Sequence, residues 1–139
     1  MAWAESLIKL SGYEVETLQK RLSEIVERRM QAEMKLVLLE AEAEAEAAHA
    51  RYDAEAGWYQ VGFLEGVRVR RAAAQMEIDR IALEESGARD ALAMAFEDQK
   101  KYEQVAENMR VARNKEVAKQ ETAALDELGL RRAGGAGGW

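Results

Sequence analysis

Eleven positions in the first part of the chain follow one another at alternating steps of three and four: Ile8, Ser11, Val15, Leu18, Leu22, Ile25, Arg29, Ala32, Leu36, Leu39 and Ala43. Nine of them are Ile, Val, Leu or Ala, and this spacing lines them along one seam of a helix that must be buried against another helix. Ser11 and Arg29 are the polar exceptions, and Leu7 and Leu10 widen the apolar face near its start. Off the seam, Glu16 with Lys20 and Glu24 with Arg28 stand four apart, each pair worth about 0.2–0.5 kcal/mol to a helix. No proline interrupts the chain anywhere.

The densest break before the tail is Gly57-Trp58-Tyr59-Gln60-Val61-Gly62-Phe63-Leu64-Glu65-Gly66, with three glycines in one short stretch. Each costs about 1 kcal/mol relative to alanine inside a helix. Beyond it a second seam begins: Leu64, Val67, Arg71, Ala74, Ile78, Ile81, Glu85, Ala88, Leu92. After Leu92 the large apolar residues (Phe96, Tyr102, Val105, Met109) suggest a change of phase, with Ser86-Gly87 as a candidate bend. Gly129 is a plausible C-cap, with Arg131 and Arg132 near the negative end of the helix dipole. Ser11-Gly12-Tyr13-Glu14 has the form of a capping box, but the apolar residues upstream favour one helix running through Gly12. Ala41 to Ala50 alternates Ala and Glu with period two, and both residues prefer helix to strand.

Ala, Glu, Lys, Arg and Leu make up 80 of the 139 residues, above the half that marks long helices and coiled coils. The fold class expected is all-α, a long antiparallel two-helix coiled-coil hairpin over residues 1–132. Helix 1 covers about residues 5–56, the bend about 57–62 and helix 2 about 63–128, before a disordered Gly-rich tail at 133–139. A fold-back near residues 58–61 makes paired numbers add up to about 119, placing Leu39 beside Ile81 or Arg80 and Leu18 beside Tyr102 or Lys101. A generic coiled-coil scaffold or homodimer is the alternative.

The composition also narrows function. A net charge of −6 disfavours nucleic acid and anionic membrane as generic partners. No apolar run approaches the roughly 20 residues that cross a bilayer, and the N-terminus lacks the pattern of a signal peptide. Without cysteine there is no disulfide framework, which suits a reducing compartment. The expectation is a soluble cytoplasmic protein. His49 is the single histidine, and with Glu46 and Asp53 alone it makes a poor metal site. There is no phosphate-cradling loop, no nucleophile–base pair and nothing to separate the pKa values of the many carboxylates. No enzyme and no cofactor are expected. What remains is surface, with Trp3, Trp58, Tyr59, Phe63 and Trp139 as candidate anchors for partners. Residues 100–119 hold six basic and three acidic side chains, residues 20–35 five and three, and residues 40–56 one and six. Folded back, the terminal end is basic and the bend end acidic.

Several stretches together carry a family likeness: Leu7-Ile8-Lys9-Leu10, Tyr13-Glu14-Val15-Glu16 with Leu18 and Leu22, Gln31-Ala32-Glu33 with Leu36 and Leu39, Trp58-Tyr59-Gln60, residues 96–103, and Ala124-Leu125-Asp126-Glu127. Over about residues 5–132 the chain resembles the flagellar type III export protein FliJ family. The resemblance implies a hairpin similar to the stalk subunit of rotary ATPases, cytoplasmic and held at the inner face of the membrane by the export apparatus. Its implied partners are the export ATPase, the cytoplasmic domain of the export gate and export chaperones. It further implies that Arg21, Arg28, Arg110, Arg113 and Lys115 face the ATPase ring and that Leu39 and Phe63 contact the gate. Glu42 and Glu46 depart from that pattern by supplying no apolar anchor beside Leu39.

Overall fold

A computed structural model describes residues 2–52 and 60–136, and all of these are helical: α1 is Ala2–Tyr52 and α2 is Gln60–Ala136. Trp58, Tyr59, Trp139 and Asp53, singled out above, lie outside the described residues. The glycines behave as the Ala- and Glu-rich sequence around them dictates. Helix runs through Gly12, and the Ser11 hydroxyl donates to the carbonyl of Ile8 at 2.8 Å instead of capping a new start. α2 takes in Gly62 and Gly66, passes through Ser86-Gly87 and does not stop at Gly129. The expected bend is therefore narrower at its C-terminal side, and helix 2 outlasts the expected end at residue 128. A single glycine costs too little to end a helix whose neighbours are strong formers.

All eleven seam positions of α1 are buried or half-buried. On α2, Leu64 and Arg71 remain exposed while the other seven expected positions are covered. The change of phase after Leu92 does not occur. Covered positions continue at Ala95, Gln99, Tyr102, Ala106 and Met109, still in steps of three and four. Small or polar side chains at Ala95, Gln99 and Ala106 share the seam there with Tyr102 and Met109. The large residues that suggested drift, Phe96 and Val105, are 38% and 41% exposed beside it.

The chain divides into two compact units, one of residues 14–94 and the other of residues 1–13 with 95–139. In the first unit, Ile25, Ala32, Ile81 and Ala88 form the core, joined by Leu22 and Ile78. Ion pairs flank it: Arg28 to Glu84 at 2.9 Å, Arg29 to Glu85 at 3.1 Å and Glu40 to Arg71 at 3.4 Å. Partner numbers add up to 112, 114 and 111, and from Arg28 and Arg29 to Glu40 on α1 the partner on α2 moves back from Glu84 and Glu85 to Arg71, as in an antiparallel pair. Arg28 thus reaches across to Glu84 and not along its own helix to Glu24. The register expected from a sum of 119 is corrected by about one heptad. Leu39 shares a cleft with Val67 and Arg70, while Ile81 belongs to the Ile25–Ala32 cluster. In the second unit Tyr102 lies against Trp3, Ala4 and Leu7. A Cβ built on Gly12 would meet Gln99 Nε2 at 3.7 Å, an ordinary contact that sets two small or polar seam residues opposite each other.

The hydrogen bond from Arg28 holds the Glu84 carboxyl below the usual carboxylate range, although partial desolvation pushes the other way. Because the folded-state pKa is depressed, the pair stabilises the fold from neutral pH down through the ordinary glutamate range. That contribution is lost as pH falls through the lowered value. Thermal melts followed from neutral into acid are expected to show this loss in the wild type and a flatter profile in Glu84→Gln.

Candidate functional site

No constellation for catalysis assembles among the described residues. His49 is exposed on α1, and no group of three His, Cys, Asp or Glu there is placed to hold a metal ion. The candidate sites are surfaces, and each is built from helix faces.

The first lies where the α1 seam runs into the Ala-Glu stretch. Large seam residues give way to Ala43, which leaves a shallow cleft of about 290 Å³ between the helices. Leu39 from α1 and Phe63 and Val67 from α2 line it, with Glu42, Glu46 and Arg70 at its edges. Sequence reasoning singled out Leu39 and Phe63 separately as gate-contacting residues, and the fold brings them into one cleft. Phe63 is the aromatic there, and Val67 supplies an apolar wall that the Ala-Glu run on α1 does not. Arg70 Nε donates to the carbonyl of Gly66 at 3.3 Å, which draws its guanidinium along its own helix.

The five basic residues expected to act together belong to two units. Arg21 and Arg28 belong to the unit of residues 14–94, where Arg28 is committed to Glu84 and Arg21 adds to the attraction on the same carboxylate. Arg110, Arg113 and Lys115 belong to the other unit. Arg110 is held by Glu107 of its own helix at 2.6 Å, and that hydrogen bond lowers the Glu107 carboxyl. Arg113 and Lys115 have no ion-pair partner among the described residues. In that unit Trp3, Ala4 and Leu7 of α1 lie against Tyr102 and Val105, so α1 ends before it can cover residues further along α2. Every residue from 110 to 134 is exposed.

Two features escaped sequence reasoning. Arg29 and Glu85 stood as interruptions of two seams, yet they are each other's partners. Glu85 is only 14% exposed at its side chain, and Arg29 also binds Glu33 at 2.9 Å. Opposite charges at seam positions were the available signal. The second is the cleft of about 170 Å³ formed by Trp3, Ala4, Leu7, Tyr102 and Val105, which depends on the register.

Over 131 residues, 94% of this chain and 94% of the relative, the sequence is 55% identical to a protein named Flagellar FliJ protein from Caulobacter vibrioides strain NA1000 / CB15N. The chain belongs to the FliJ family. The same identity and coverage hold for the Flagellar FliJ protein of Caulobacter vibrioides strain ATCC 19089 / CIP 103742 / CB 15. No protein-family model matches the chain, and no solved structure does. Membership of the FliJ family agrees with the resemblance carried by the heptads and the stretches around them. No helix among the described residues is long and apolar enough to cross a membrane.

Proposed function

We propose that this FliJ-family chain is a non-enzymatic stalk of the flagellar type III export machinery, an antiparallel two-helix coiled-coil hairpin acting in the cytoplasm. It enters the ring of the export ATPase, links that ring to the cytoplasmic domain of the export gate at the inner face of the membrane, and escorts export chaperones. The observation that carries the reading is the stretch of α2 at residues 110–134, exposed throughout and carrying the unpaired cations Arg113 and Lys115. A single helix about 10–12 Å across suits a narrow pore better than a packed pair. The Leu39–Phe63 cleft offers the gate a shallow apolar seat with charged edges.

Co-purification with the ATPase tests the reading. Wild type is expected to retain the ATPase from lysate, and Arg113→Glu with Lys115→Glu to lose most of that binding with unchanged helical circular dichroism. Exposed substitutions shift stability by only about 0.5 kcal/mol. Equal retention by the double mutant removes residues 110–134 from the ATPase contact. Absence of the ATPase from both samples, with quantitative self-crosslinking, favours the homodimeric scaffold.

A further inference from the structure

The outer face of α1, turned away from the seam, is where a two-helix pair normally carries charge. Met30, Met34, Val37 and Leu38 lie there, 55%, 58%, 58% and 55% exposed, and Ala41 continues the stripe. Steps of four, seven, eight and eleven from Met30 place them within one apolar band along the unit of residues 14–94. They contribute nothing to the core, which is built from Ile25, Ala32, Ile81 and Ala88. A contiguous apolar band left in water marks an interaction surface, and unbranched methionines adapt readily to varied partners.

Charge decides which partner fits. Between residues 30 and 50 the sequence holds five glutamates and one lysine. At 100° per residue Glu33 and Glu44 border the band on one side and Glu42 on the other. Glu42 and Glu44 have no ion-pair partner among the described residues, whereas Glu33 is engaged by Arg29. An acidic rim repels anionic lipid headgroups. It also repels the same face of a second copy. The outer face of α2 holds a second exposed apolar row, Val69, Met76 and Leu83, but the nearby Arg68 and Arg80 are already paired with Glu65 and Glu77.

We infer that the Met30–Leu38 face of α1 is a docking surface for an amphipathic helix of another protein whose apolar side is flanked by lysine or arginine. Its apolar residues fill the band between Met30 and Ala41, and its cations meet Glu42 and Glu44 at the rim. Only Glu42 also borders the cleft assigned above to the gate, and no residue is shared with those assigned to the ring, so the inference, carried by the apolar band, stands apart from the proposed function.

A labelled peptide of about 18 residues, long enough to form a helix on binding, provides the probe. It is built of leucine at helical spacing with lysine on both flanks. Its controls are a scrambled peptide of the same composition and an analogue with glutamate in place of lysine. Fluorescence anisotropy with the full chain at physiological salt is expected to show the patterned peptide binding at least about tenfold more tightly than either control. Met34→Lys with Leu38→Lys, and separately Met34→Gln with Leu38→Gln, are expected to weaken it about tenfold or more without loss of helical circular dichroism. Met76→Lys with Leu83→Lys on α2 is expected to leave it unchanged. Equal binding of the scrambled peptide, or full affinity in both α1 variants, overturns the inference. So does a wild-type dimer in light scattering that the α1 variants convert to monomer, because the occupant is then a second copy.

Discussion

Truncation of Ile81 to alanine is expected to destabilise the packing of α1 on α2 by about 2–4 kcal/mol, a large part of what a protein of this size possesses. Ile81 is 3% exposed and sits in the small core with Ile25, Ala32 and Ala88. Two alanines among those neighbours leave little material to fill the cavity, and the layer is only one seam deep. Leu83, two residues along the same helix, is 77% exposed, and its truncation is expected to change stability by no more than about 0.5 kcal/mol. Urea unfolding followed by helical circular dichroism measures both. Equal losses for Ile81→Ala and Leu83→Ala would contradict the packing described.

The second large effect is all-or-none. In this cysteine-free chain, Ala32→Cys with Ile81→Cys is expected to oxidise to an intramolecular disulfide that migrates as a monomer on a denaturing gel. Leu39→Cys with Ile81→Cys is expected not to close. Moving from residue 32 to residue 39 displaces the thiol by about 10 Å along α1, beyond the Cα separation a disulfide tolerates. Closure of the 39/81 pair in preference to 32/81 would restore the longer register. Quantitative dimer formation by Ala32→Cys alone would show that the seam pairs between copies.

The candidate sites were legible to different depths, for reasons visible in single residues. Leu39 and Phe63 stood out as large apolar residues near the break, and the fold joined them in one cleft because both border the thin alanine end of the seam. The basic residues were legible only as a count. Counting charge along the chain grouped Arg21 and Arg28 with Arg110, Arg113 and Lys115, but Arg28 is spent on Glu84 and Arg110 on Glu107. Charge counts do not reveal pairing. The Met30–Leu38 band was present in the sequence throughout, yet its meaning depends on knowing that the other face of α1 is the one covered.

The sequence by itself determined the helices and, on α2 as far as Leu92, which face of each is buried. Both are local properties: an Ala- and Glu-rich, proline-free chain forms helix, and a 3-4 spacing marks a seam whether or not the partner is known. Only the tertiary structure decided the register. In an antiparallel pair, shifting the sum of partner numbers by seven lays seam on seam just as well, so 112 and 119 are equivalent to the heptad pattern. What separates them is non-local. Arg29 must find Glu85 to satisfy two charges at seam positions, and Gln99 must meet the small Gly12 instead of a large side chain. In that register Trp3 packs near Tyr102, α1 runs out, and α2 from residue 110 onward is left uncovered.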